Sequence, residues 1–170
     1  MKVLLIRHAH GLHQQNHDYS IFDPELSKIG IEQCNTERDK WNEAELVISS
    51  NAVRTLQTAS LIFPSKKVYG TDLLLEYNTG VYCNCRNSLA MQSIRFPRVD
   101  FDAYRVAPLD REITWEDGAK RARRLVSLLK LLDYKVVAIV THQNFAKNVL
   151  ALLGEPQVAL ENCQVYTVEL

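Results

Sequence analysis

Residues 135–154 read KVVAIVTHQNFAKNVLALLG. Val136 to Val140 form an apolar run too short for a buried helix and suited to a buried strand. From Asn144 the apolar residues recur at helical spacing as far as Gly154. A strand passing directly into an amphipathic helix is the unit from which parallel sheets are built. His142 stands between the two, at the carboxyl end of the strand.

The same pattern recurs outward from this stretch. KVLLI (2–6) reads as a buried strand that ends in Arg7-His8. ELVISS (45–50) is a second strand, followed by a helix over NAVRTLQTASLIF (51–63) that Pro64 stops. KKVYG (66–70) is a third, short strand. SKIGIEQCNTERDKW (27–41) predicts a mostly polar helix with Ser27 as N-cap. WEDGAKRARRLVSLLKLLD (115–133) has apolar residues at helical spacing with basic residues opposite, and QVYTVEL (164–170) alternates as a final strand. Together these predict an α/β fold: a single three-layer domain over 1–170, with a mainly parallel sheet flanked by helices. The less regular stretch 71–111 is expected to be an inserted or capping region.

Twenty acidic and twenty basic side chains balance over 170 residues, so no bulk field points to nucleic acid or an anionic membrane. Cys34, Cys83, Cys85 and Cys163 form no CxxC pair. No segment approaches the roughly 20 apolar residues of a membrane span, and the N-terminus does not resemble a signal peptide. The expectation is a soluble cytoplasmic protein without disulfides and with no membrane or nucleic-acid partner.

In sheets of this kind ligands sit beyond the carboxyl ends of the strands. If the strands ending in His8 and His142 are parallel neighbours, both imidazoles emerge at one edge. Ser49-Ser50 ends another strand, and Arg54 follows near the start of the next helix, where a guanidinium and free backbone N–H groups could face an anion. LLLE (73–76) delivers Glu76 after a further apolar run. Two histidines, two arginines and a carboxylic acid fit phosphoryl transfer to histidine. One imidazole attacks phosphorus, the cations hold its oxygens, and the acid protonates the leaving group. Taken singly, each residue has a plainer reading as polar loop, surface helix or solvated charge. VLLIRHAHGLHQQNH (3–17) holds four of the five histidines, so a zinc site is also admissible, although no carboxylate partner or helix fixes a ligand spacing.

The motifs also resemble those of the histidine phosphatase superfamily, called phosphoglycerate mutase-like. LIRHAHG is similar to its signature, in the plant and fungal form R-H-A-x-G-x-H. DPELSKIGIEQC, SSNAVRTLQTA, LLLEYNTGVYCNCR, FPRVDF, VVAIVTHQNFAKNVL and LENCQVYTVEL resemble further family segments in collinear order. The resemblance implies His8 as nucleophile, Arg7, Arg54 and His142 as phosphate ligands, and Glu76 as proton donor. It further implies a phosphohistidine intermediate with no metal and no cofactor. Gln14 stands where the family often has a phosphate-contacting Asn, and His13 matches a histidine of the plant and fungal form. Gln143 and Asn144 replace glycines after the second histidine, Asn51 replaces a proline, and Cys83-Asn84 replaces a Cys-Asp pair.

On this reading Gln14, His13, Gln143 and Arg86 contact substrate, and Arg86, Arg95, Arg98 and Arg105 are candidates for a polyanionic one. His10 and His17 are expected to be exposed. The expected activity is metal-independent hydrolysis of a phosphomonoester, either a small phosphorylated molecule or a phosphoprotein. Mutase-type transfer and non-catalytic phospho-ligand binding are the alternatives. A neutral nucleophilic imidazole and a protonated glutamic acid predict a bell-shaped pH profile with its optimum on the acid side of neutral.

Overall fold

Strands buried on both faces must be apolar along their whole length, and Val3–Ile6 and Val137–Val140 are fully buried at every position. The computed structural model describes residues 1–77, 80–103 and 115–170. In chain order the elements are β1 (Lys2–Arg7), α1 (Leu12–Gln15), α2 (Lys28–Glu37), β2 (Leu46–Ser50), α3 (Val53–Ile62) and β3 (Val68–Thr71). There follow α4 (Leu89–Arg95), β4 (Val99–Asp100), α5 (Trp115–Leu129), β5 (Val136–Thr141), α6 (Gln143–Leu152) and β6 (Val165–Glu169), with 3-10 turns at Asp72–Leu74 and Tyr82–Asn84.

The strands form one sheet in the order β4-β3-β2-β5-β1-β6. All neighbours are parallel except β6, which runs antiparallel to β1. Alternate strand residues feed two cores. Val3, Leu5, Ile48, Val137 and Ile139 pack with Leu125 and Leu129 of α5 and Phe145, Val149 and Leu150 of α6. Leu4, Ile6, Val47, Ala138 and Val140 pack on the other face with Cys34 of α2 and Ala59 and Ile62 of α3. Two helix layers therefore enclose the sheet, as expected from the sequence. Each fully buried Leu or Ile contributes about 1.5–3 kcal/mol to this arrangement.

β5 lies between β1 and β2, in register Arg7 with Thr141. The His8 N–H extends the ladder by donating to the Thr141 carbonyl at 2.9 Å. The two strand-end histidines therefore do reach one edge of the sheet side by side.

Ser27 caps α2, its Oγ accepting from the Gly30 N–H at 3.2 Å. Gly30 itself has a steric task. A Cβ there would come within 2.1 Å of the His10 carbonyl oxygen, so only glycine lets α2 lie against the loop that follows the nucleophile. Gly30→Ala ordinarily favours a helix by about 1 kcal/mol, yet here the backbone must move apart. We expect a net loss of about 1–3 kcal/mol in denaturant unfolding; an unchanged or raised midpoint would contradict the packing.

The stretch expected to be inserted is partly woven into the sheet. Ser88 caps α4 by accepting from the Met91 N–H, and β4 pairs with β3 as the sheet edge. Arg86 departs from its expected place at the substrate. Its Nε and Nη2 donate to both carboxylate oxygens of buried Asp72, at 2.6 and 2.5 Å. A bidentate pair of this kind is a structural clamp. Arg95 pairs with Glu25 and Arg98 donates to the Pro64 carbonyl, while Arg105 and residues 104–111 lie outside the described residues. All four cysteines are free of disulfides. Among the described residues no helix is long and apolar enough to cross a membrane.

Candidate active site

His8 follows β1 and is buried. Its Nδ1 lies 2.8 Å from the Ala9 carbonyl, which can only accept. Nδ1 therefore carries the proton and Nε2 keeps a lone pair. The pKa of His8 is held well below that of a free histidine, chiefly by burial and then by the charges of Arg54 and Arg7. Burial is the larger cause, and the arginine charges act in the same direction.

His142 caps α6 at the end of β5, its ring centroid 5.3 Å from that of His8. Its Nδ1 is 3.0 Å from Arg54 Nη2, and a guanidinium can only donate. Nδ1 is therefore the acceptor, and Nε2–H donates to Ser50 Oγ at 2.9 Å. Burial, then Arg54 and His8, keep this imidazole neutral as well. Both ring nitrogens are bonded and only Nε2–H can donate, so a phosphoryl oxygen would reach this ring by replacing Ser50 Oγ.

Arg54 is 2 % exposed, and none of the described carboxylates forms an ion pair with it. Its Nη1 donates to the Cys83 carbonyl at 2.7 Å and its Nη2 to Asn84 Oδ1 at 3.2 Å. Asn84, which stands where the resemblance implies a carboxylate, thus gives the guanidinium a neutral partner. Arg7 donates from Nη1 to the Leu160 carbonyl. Among the described residues, the Nε–H groups of Arg7 and Arg54 are buried without a hydrogen-bond partner, as are Nε and Nη2 of Arg121. Leaving such donors unmet costs about 1–3 kcal/mol each, and an anion relieves it. The expected free backbone N–H groups at the start of α3 do not add to this at Val53, whose N–H is taken by the buried Asp23 carboxylate at 2.8 Å.

Glu76 is buried and accepts from the backbone of α6, from Asn144 at 3.0 Å and Phe145 at 3.1 Å, and from its neighbour Tyr77 at 3.2 Å. Burial raises its pKa above the ordinary glutamate range, opposed by these N–H groups and by Arg54. Arg121 lies beneath it. The sequence places this residue on the basic face of α5, but it is buried, donating from Nη1 to the Leu73 and Leu75 carbonyls at 2.8 and 2.7 Å and facing the Phe145 ring. It braces the turn that presents Glu76. Gly118, one turn earlier, lies against the Tyr77 ring, which a Cβ there would strike.

The loop after the nucleophile is organised by Asn162, which the sequence reading missed, and by Gln14, which it assigned to the substrate. Asn162 Nδ2 donates to the His8 carbonyl at 3.0 Å and to Gln14 Oε1 at 3.1 Å, while Gln14 Nε2 donates back to Asn162 Oδ1. Gln14 Oε1 also accepts from the Gly11 N–H. The Gln14 amide is thus engaged in holding this loop. His13 is buried 6.0 Å from the His8 ring, and Gln143 is half-buried at the first position of α6. His10 differs from its expected exposure: it is half-buried, with Nδ1 2.8 Å from Ser27 Oγ. His17 is exposed. Among the described residues no three His, Cys, Asp or Glu side chains converge as a metal site.

A neutral imidazole with one free nitrogen, two unneutralised guanidiniums and a buried acid thus share one sheet edge. Residues 3–170 match the family model for the histidine phosphatase superfamily, branch 1. The chain belongs to that superfamily. It is similar to phosphoglycerate mutase-like protein 1 of Arabidopsis thaliana, with 28 % identity covering 95 % of this chain and 76 % of the relative. A second Arabidopsis phosphoglycerate mutase-like protein is 25 % identical over 95 % of this chain and 81 % of its own length. A mycobacterial glucosyl-3-phosphoglycerate phosphatase shares the fold with a TM-score of 0.70, at 21 % identity over 99 % of this chain and 92 % of that one. So does the phosphoserine phosphatase of Entamoeba histolytica, with a TM-score of 0.67, 21 % identity and 98 % and 89 % coverage.

Proposed function

We propose that this chain hydrolyses phosphomonoesters through a phosphohistidine on His8, with no metal. The observation that carries the reading is that Arg7 and Arg54 each keep a buried Nε–H that no described residue accepts, close to an imidazole whose Nε2 retains its lone pair. The phosphoryl oxygens lie against Arg7 and Arg54, with His142 joining by exchange of a present partner. Nε2 of His8 attacks phosphorus, the bond to the ester oxygen breaks, and Glu76 gives its proton to that oxygen. Water then attacks the phosphohistidine, returning one proton to the Glu76 carboxylate and releasing phosphate. Transfer to a second hydroxyl would share the first half. Hydrolysis is preferred because the chain is compact and its match to the first relative extends over 215 aligned positions, more than its own 170 residues. The relative therefore carries internal segments that this chain lacks, and a chain with fewer segments has less with which to shield its site from water.

The test is turnover of an aryl phosphate by wild type and His8→Ala, each with and without a chelator. Chelator-resistant turnover that falls at least about 10⁴-fold in the variant is expected. Activity lost to chelator alone would assign the chemistry to a metal.

The pH dependence follows from two opposite shifts. His8 must be neutral, so activity is lost as pH falls through its depressed pKa. Glu76 must be protonated, so activity is also lost as pH rises through its raised pKa. The optimum of kcat/KM is expected on the acid side of neutral, and a rate that climbs steadily into alkaline pH would refute the assignment.

A further inference from the structure

Four rings step from the buried sheet edge to the surface. His142 and His8 are 5.3 Å apart, His8 and His13 6.0 Å, and His13 and Tyr19 5.9 Å, the last edge to face. Exposure rises along the series, from 1 % at His142 through 5 % and 6 % to 54 % at Tyr19. Gly11 makes room for the His13 ring, which a Cβ there would meet at 2.6 Å. Tyr19 is tied to the phosphate-binding side as well. Its carbonyl accepts from the Cys83 N–H at 3.2 Å, and the Cys83 carbonyl accepts from Arg54. The neighbouring Tyr82 is 63 % exposed.

This wall carries little charge. Burial and the nearby cations pull His13 down to about 4, so it is neutral at physiological pH. The amides of Gln14 and Asn162 are paired with each other. Of the arginines that could have met a polyanion, Arg86, Arg95 and Arg98 are engaged by Asp72, Glu25 and the Pro64 carbonyl, and Arg105 lies outside the described residues. Among the described residues, the approach beyond the phosphoryl group therefore offers ring faces and edges rather than free arginines.

We propose that the substrates are small monoesters whose leaving group carries a flat aromatic ring a few bonds from phosphorus, stacked on Tyr19 beside His13. The two ring steps of about 6 Å each from His8 to Tyr19 put an upper limit on that separation. Aromatic contacts of this kind favour binding by roughly 3- to 10-fold. The inference builds on the hydrolase reading but is tested by binding. The affinities of 3-phenylpropylphosphonate and propylphosphonate are measured by calorimetry for wild type, Tyr19→Ala and Tyr19→Phe. The aromatic ligand is expected to bind about tenfold more tightly to wild type and Tyr19→Phe, and no more tightly than the alkyl one to Tyr19→Ala. Equal affinities in wild type, or a preference that survives in Tyr19→Ala, would overturn the proposal. If the preference is present but no monoester is turned over, the aromatic wall stands and the hydrolase reading falls.

Discussion

Glu76→Gln is expected to lower kcat for an alkyl phosphate by about 10²- to 10⁴-fold, the usual range for loss of a general acid. An alkoxide cannot leave without a proton, and among the described residues Glu76 is the acid held at the first turn of the helix that His142 opens. An aryl phosphate, whose leaving group tolerates negative charge, should be affected far less. The descending alkaline limb of the pH profile should disappear with the carboxyl group. The amide keeps one oxygen to accept from α6 but turns an NH₂ toward the other N–H, so a stability loss of about 1–3 kcal/mol should accompany the change. Vanadate affinity should persist. Unchanged turnover of an alkyl ester would remove Glu76 from the donor role and favour a protein that binds phosphate without transferring it.

Arg54→Met removes the buried guanidinium while roughly conserving side-chain length. Loss of so well-placed a charge is expected to reduce kcat/KM by about 10³-fold. A second readout does not depend on turnover. A ligand at 100 times its Kd stabilises the folded state by about 2.7 kcal/mol, so phosphate or vanadate should raise the Tm of wild type. In Arg54→Met that rise should be largely lost. Arg54→Lys should not restore it, because a single ammonium cannot reach Cys83, Asn84 and His142 together. A full ligand-induced shift in Arg54→Met would show that the anion binds elsewhere.

The strands and the placement of His8 and His142 were legible because a strand buried on both faces leaves a continuous apolar run, and the first polar residues after it mark its carboxyl end. Helix α2 was legible from Ser27, although it stops at Glu37 rather than Trp41, with Asp39 in a left-handed conformation at φ 61°. The fate of individual charges was not legible. Arg121 and Arg124 stand in one basic run, yet Arg121 is buried and Arg124 is exposed. Arg86 reads as a free cation until the fold brings it onto Asp72, 14 positions earlier. The pairing of Gln14 with Asn162 spans 148 positions and has no local signature. α4 and β4 are too short for periodicity to show, and their anchors, Asp23 and Ser88, become visible only through the backbone groups they cap.

The position of β5 bears on how the site comes into being. β1, β2 and β3 precede it in the chain, but β1 and β2 make no ladder with each other; β5 enters between them about 90 residues after β2 begins. Until it does, the sheet is two unjoined fragments, His8 lacks the Thr141 carbonyl that continues its ladder, and Arg54 lacks His142. A partly folded chain therefore has no weakened version of this centre. Arg54 and His142 are brought to His8 only when β5 is seated between β1 and β2, so the chemistry depends on the completed sheet rather than growing with compaction.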